Sequence, residues 1–126
     1  MKKKIYYHDT DAGGVVYYAN YLKYFEEART ELLKEKGVDI SKLSEGGILF
    51  AARKVEIDYK APARYADNLT ITACLSKVKN ATLEFTQTIT RGNKVLVEAK
   101  TQLVCINSNF IPQVIPAEVS QCLRKD

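Results

Sequence analysis

The sequence predicts an α+β fold in which one long helix lies on one face of an antiparallel sheet. One segment, 20–36, repeats its apolar residues at helical spacing. From Leu49 onward the chain alternates apolar and polar residues in four long runs, with turn residues between them and no second crossover helix. Strands joined by short turns pair as antiparallel neighbours.

The elements follow in order. Ile5 to His8 reads as a short first strand, broken by Gly13 and Gly14. The stretch from Val15 to Ala19 leads into the helix. There Tyr21, Phe25, Ala28 and Leu32 share one face, flanked by Leu22, Arg29 and Leu33, while Lys23, Glu27, Glu31 and Lys34 take the outer side. Gly37, after the cation Lys36, ends the helix. A polar connection, Val38 to Gly47, has room for one helical turn at Ile40 to Leu43.

Leu49 to Tyr59 carries Val55, Ile57 and Tyr59 on one face, and Pro62 ends it. Leu69, Ile71, Ala73 and Leu75 mark the next strand, and Leu83, Phe85, Gln87 and Ile89 the one after the turn at Asn80. Arg91-Gly92-Asn93-Lys94 is a hairpin turn leading into Val95 to Ile106. The loop Asn107 to Pro116 holds Phe110, Ile111, Val114 and Ile115, and Ala117 to Arg124 reads as a short helix. The outward face of the sheet is rich in threonine, which tolerates water or a second subunit.

The length, 126 residues, fits one domain spanning residues 1–126. The net charge is +4, and the terminal run Lys2-Lys3-Lys4 reads as a solvated end. The remaining near-balance argues against general nucleic-acid binding but leaves room for one anionic ligand. No segment has the length of a signal peptide's apolar core or of a membrane span, so the expected compartment is the cytoplasm. Cys74, Cys105 and Cys122 form no disulfide or zinc-ligand pattern, and His8, the single histidine, would be the only imidazole base for a catalytic thiol. Metal-protease, P-loop and serine-triad motifs are absent.

The run Asp9-Thr10-Asp11-Ala12-Gly13-Gly14 places two carboxylates between the first strand and the helix. Asp11, at the mouth of a Gly-Gly turn, suits a general base or a nucleophile, and equally a turn or helix-capping aspartate. Asp9 reads as support. Free N–H groups between Gly14 and Ala19 suit an oxyanion, or else simply meet caps and water. Tyr17, Tyr18 and Tyr21 suit either an acyl pocket or the seam between helix and sheet. Glu26 has a weaker claim on a site. Among the basic residues, Lys60 and Arg64 flank Pro62 where a phosphate can be met; ordinary charged surface is the alternative.

The stretch from Tyr7 to Leu22, continued by Phe25-Glu26-Glu27-Ala28-Arg29, resembles the signature of hotdog-fold acyl-CoA thioesterases. The likeness is to the YbgC-like branch, related to 4-hydroxybenzoyl-CoA thioesterase. It implies a long helix wrapped by a curved antiparallel sheet, and homodimers with a continuous sheet, paired into homotetramers, with sites at subunit interfaces. It implies Asp11 as the catalytic carboxylate, nucleophile or base, and the backbone N–H of Tyr18 as the carbonyl-polarising donor. Asn20 and Tyr21 match residues around the pocket entrance and helix start, and Gly14, Val15 and Tyr17 beside them are further candidates for binding the substrate. The resemblance implies CoA phosphates near the surface, held by basic residues from more than one subunit, with Lys60 and Arg64 the local candidates. No cofactor or metal is implied, since CoA belongs to the substrate. An acyl carrier protein is a possible alternative carrier, and a non-catalytic binding module the alternative function. Two departures stand out: Tyr18 replaces a histidine frequent in this branch, and the loop Asn107 to Pro112 lacks the basic residues often found there.

Overall fold

A computed structural model describes residues 1–124 of the chain. Its elements are β1 (Lys2–Lys4), a 3₁₀ turn (Tyr7–Asp9), α1 (Asn20–Glu35), α2 (Ile40–Glu45), β2 (Leu49–Tyr59), β3 (Asn68–Val78), β4 (Thr82–Arg91), β5 (Lys94–Ile106) and α3 (Ala117–Arg124). One five-stranded antiparallel sheet runs β1-β3-β4-β5-β2. The long helix α1 packs on its apolar face, the hotdog arrangement.

The expected first strand, Ile5 to His8, is displaced. Pairing occurs earlier, where Lys2, Lys3 and Lys4 face Thr70, Leu69 and Asn68. The lysine run is therefore an edge strand rather than a free end. Lysine tolerates that position because its long stem covers apolar surface while the ammonium stays wet; Lys3 Nζ lies 5.2 Å from the centre of the Tyr24 ring. Ile5 is fully buried. The chain then tightens into the 3₁₀ turn because the Asp9 carboxylate accepts the Tyr6 N–H at 2.9 Å.

The helix starts and stops as expected, but its buried stripe is rotated. Tyr24 and Leu33 join Tyr21, Phe25 and Ala28 in the core, while Leu32 is half-buried and Leu22 exposed. The expected helical turn at Ile40 to Leu43 forms too, extended to Glu45 as α2, with Asp39 accepting the N–H of Ser41 as a cap. Each large side chain so buried contributes about 1.5–3 kcal/mol.

The core divides in two along the helix. One half gathers Ile5, Val16, Tyr21, Tyr24, Phe25, Ile71, Ile89 and Val97 near the start of α1. The other gathers Leu33, Leu83, Phe85, Leu103, Cys105 and the α3 residues Val119 and Leu123. Buried Gln87 lies among the apolar residues with both amide ends engaged, donating to Phe25 O at 2.9 Å and accepting from Arg29 at 3.0 Å. The opposite face carries the expected threonines, with Thr72 and Thr88 hydroxyls 2.6 Å apart across β3 and β4. Among the described residues, β2 pairs only with β5 and is a long edge strand.

Candidate functional site

The chain between the 3₁₀ turn and α1 is a strap anchored at Asp9. The Asp9 carboxylate is buried and accepts both the Tyr6 N–H and the Tyr24 hydroxyl, the latter at 2.8 Å. Its backbone carbonyl accepts the Tyr17 N–H and the Asn20 side-chain amide, each at 3.0 Å. Burial pushes its pKa up, but the two hydrogen bonds and the nearby His8 and Lys3 outweigh that and hold it below the usual carboxylate value. Burial, followed by the hydrogen bond to Asp9, pushes the Tyr24 phenol well above its ordinary value. The pair thus stays as phenol and carboxylate across the neutral range.

From this anchor the strap makes a small hairpin. Asp11 N–H donates to Val15 O at 2.9 Å, Gly14 N–H donates to Asp11 O at 3.0 Å, and Gly14 has φ of 80°. This is a three-residue hairpin loop whose last position needs the left-handed region, so glycine belongs there. The Asp11 carboxylate is exposed and accepts the Gly13 N–H through Oδ1 at 2.8 Å. Among the described residues Oδ2 has no hydrogen-bond partner. A Cβ on Gly13 would lie 3.2 Å from Oδ1, so that glycine leaves the carboxylate its place.

Asp11 opens onto a cavity of about 360 Å³, with Val15, Val16 and Tyr18 on the strap side and Tyr21 on α1. The far wall is the end of β2 and its exit, Tyr59 to Pro62. Tyr59 lies 6.4 Å from the Tyr18 ring and 5.7 Å from the Tyr21 ring, centre to centre. Tyr21 also ties the two walls together by accepting the Ala63 N–H at 3.0 Å. The cavity is therefore apolar and aromatic, with one carboxylate at its rim.

The strap's other donors are mostly engaged. Val16 N–H meets Ala63 O, and Asn20, Tyr21 and Leu22 N–H groups close tight turns onto Tyr17, Tyr18 and Ala19. Among the described residues, no acceptor meets the N–H groups of Tyr18 and Ala19. Those groups stand at the positive end of α1, where negative charge is stabilised.

Of the residues singled out in the sequence, Asp11, Val15, Tyr18, Tyr21 and Lys60 line this cavity, whereas Gly14, Tyr17, Asn20 and Arg64 do not. Gly14 shapes the loop, Asn20 holds Asp9 O, and the exposed Tyr17 ring lies 4.9 Å from that of Tyr18. Lys60 lies 3.7 Å from both Asp58 and Glu98. Arg64 has no ion pair among the described residues and is exposed beside the strap, its backbone bridged to Val15. Sequence reading missed Val16, Tyr59, Ala61 and Pro62 as cavity walls. The signal available was Tyr59 as the last inward position of a strand that Pro62 terminates.

Among the described residues, no cluster of histidine, cysteine and carboxylate side chains is placed to hold a metal ion. The three cysteines are free, and burial raises the pKa of the Cys105 thiol, which opposes a thiolate. Glu26 is exposed and does not line the cavity. Among the described residues, no helix is long and apolar enough to cross a membrane.

The chain is similar to known proteins over most of its length. The chain is 38% identical over 124 residues to an acyl-CoA thioester hydrolase YbgC from Escherichia coli, covering 94% of this chain and 92% of that protein. It is 38% identical over 118 residues to the acyl-CoA thioesterase YbgC of Haemophilus influenzae, covering 92% and 87%. A solved structure of a probable thioesterase from Bartonella henselae superposes with a TM-score of 0.87 at 35% identity, covering 92% of this chain and 97% of that one. The family model of the thioesterase-like superfamily matches residues 6–123, and the chain belongs to that superfamily.

Proposed function

We propose that the Asp11 cavity hydrolyses acyl-CoA thioesters to the free acid and CoA. What carries the reading is one juxtaposition: a carboxylate with an uncommitted oxygen and the unpartnered Tyr18 N–H belong to residues lining the same apolar cavity. The similarity to YbgC acyl-CoA thioesterases supports the substrate class.

The thioester carbonyl oxygen points to the Tyr18 N–H, which with the α1 dipole stabilises the negative charge that develops on it. Asp11 then acts in one of two ways. As base, it takes a proton from water while the hydroxide forms the new C–O bond and the C–S bond breaks. As nucleophile, its oxygen bonds the carbonyl carbon as the C–S bond breaks and CoA thiolate leaves; water then hydrolyses the mixed anhydride, releasing the acid, restoring the Asp11 carboxylate and supplying the proton that the thiolate takes up. Either route yields carboxylic acid and CoA thiol, and no cofactor is required. Val15, Tyr17, Tyr18 and Tyr21 border the acyl group, with Gly14 and Asn20 holding the strap in place. Lys60 and Arg64 receive the CoA phosphates, with an acyl carrier protein as a second possible carrier. The free edge of β2 supports a homodimer with one continuous sheet, itself able to pair into a homotetramer. A cytoplasmic location fits this substrate.

A thiol-release assay over a panel of acyl-CoAs tests the reading. Asp11→Asn is expected to lower kcat by about 10²–10⁴-fold with folding intact. Full turnover in that variant would remove Asp11 from the mechanism. Binding of acyl-CoA by the wild-type chain with no thiol released would identify a binding module instead.

A further inference from the structure

Two groups of exposed apolar side chains lie at opposite ends of β2. At the cavity end, Tyr18 is 62% and Tyr59 43% exposed, and Leu22 on α1 and Val55 on β2 are 44% and 40% exposed. At the other end, the loop after β5 leaves Phe110 77%, Val114 69% and Ile111 56% exposed.

The backbone holds Phe110 there against its own preference. Asn107 N–H donates to Ile111 O and Phe110 N–H to Asn107 O, each at 2.9 Å. The Asn107 side chain adds bonds from the N–H groups of Asn109 and Ile111. This is the hydrogen-bond pattern of the Asp11 hairpin, where the last loop position is Gly14. Here that position is Phe110, with φ of 63°. A bulky residue kept in the left-handed region is strained, and such strain collects at functional positions. The stretch 107–115 contains no charged residue, so covering it strips water from no ion.

Phe110 cannot serve its own cavity. Its loop begins where Ile106 pairs with Leu49, and the cavity lies where Tyr59 pairs with Val97. The length of β2 separates them by roughly 33 Å. A second copy of the chain resolves this. Among the described residues, β2 is a long edge with no pairing partner on its outer side. Two such edges joined antiparallel about a two-fold axis bring the Leu49 end of one strand to the Tyr59 end of the other. The same operation covers both apolar groups, each by the other, as an isologous interface requires.

We propose that Phe110, with Ile111 and Val114 beside it, forms the outer wall of the partner subunit's Asp11 cavity and contacts the apolar part of the bound thioester, making Phe110 a specificity residue that acts across the dimer. The thioesterase reading above enters only in naming what fills the cavity; the contact between chains is tested separately.

Phe110→Gly removes the ring and supplies the residue that a φ of 63° favours, so the chain keeps its fold, read by circular dichroism. Its KM for acyl-CoA is expected to rise about tenfold, with kcat changed less than about twofold. Co-expressed in equal amounts with Asp11→Asn chains, about a quarter of all sites then join an intact Asp11 to an intact Phe110 from the neighbouring chain. Those sites return the wild-type KM. A wild-type KM in Phe110→Gly alone, or no wild-type KM among verified mixed dimers, overturns the proposal.

The contact is also read without turnover. In a Cys74→Ser, Cys122→Ser background, Phe110→Cys chains mixed with Tyr59→Cys chains are expected to cross-link to each other through a short bis-maleimide. Failure to cross-link overturns the wall whatever the activity. An Asp11→Asn enzyme with full turnover would instead overturn the role of Asp11, and the cross-link would still decide that of Phe110.

Discussion

Asp9 loses its hydration on folding and regains hydrogen bonds from the Tyr6 N–H and the Tyr24 hydroxyl. Removing the Tyr24 hydroxyl as Tyr24→Phe is expected to cost about 1–3 kcal/mol, read by denaturant unfolding. The native Asp9 pKa lies below its unfolded value, so its stabilisation is present above the usual carboxylate range and is lost as pH falls through the native pKa. Stability of the wild-type chain should therefore drop below about pH 4, and Asp9→Asn should flatten that drop. An unchanged acid limb in Asp9→Asn would show that other carboxylates set it. Asp11, only two positions away, has the opposite surroundings: exposed, held by one N–H and facing a cavity. The sequence distinguished the two aspartates by their distance from Gly13 and Gly14. It did not show that Asp9 is buried, because its partners Tyr6 and Tyr24 meet it only in the folded strap.

The element that makes the site is the hairpin between Asp11 and Val15. Its position of positive φ is Gly14, where a substituent meets no neighbouring atom but the backbone resists any side chain. Gly14→Ala is therefore expected to destabilise by about 1 kcal/mol through conformation alone. It should also lower kcat as the Asp11 carboxylate and Tyr18 N–H lose their register; wild-type kcat at reduced stability would separate the loop's shape from the chemistry. The strands and hairpins were legible in their alternation, from Leu49–Tyr59 to the turn at Gly92. The first strand was not. Lys2–Lys4 has the composition of a solvated end, and only the presence of β3 beside it supplies hydrogen-bond partners. The rotation of the α1 stripe has a similar cause. Tyr24 is drawn inward by a buried acceptor, Asp9, that lies outside the helix.

At the scale of the molecule, one helix covers the sheet incompletely. Val55 and Tyr59 on β2 remain exposed although they alternate as inward positions. The β2 edge is the surface expected to join a second copy. Val55→Lys places a charge on that seam and is expected to yield a folded monomer, seen by sedimentation, with acyl-CoA turnover reduced. A dimer of wild-type affinity in that variant would move the interface elsewhere.

The sequence by itself determined the α+β class, the single long helix, the four long strands and the acid–glycine run that carries the candidate chemistry. These depend on periodicity and on local backbone preference, which are properties of neighbouring residues. Only the tertiary structure decided that Asp9 is an anchor and that Asp11 and Tyr18 line one cavity. The structure also made Tyr59 a wall of that cavity and set Phe110 about the length of a strand away from it. Each of these depends on contacts between segments far apart in the chain, which sheet pairing and core packing bring together and no local pattern encodes.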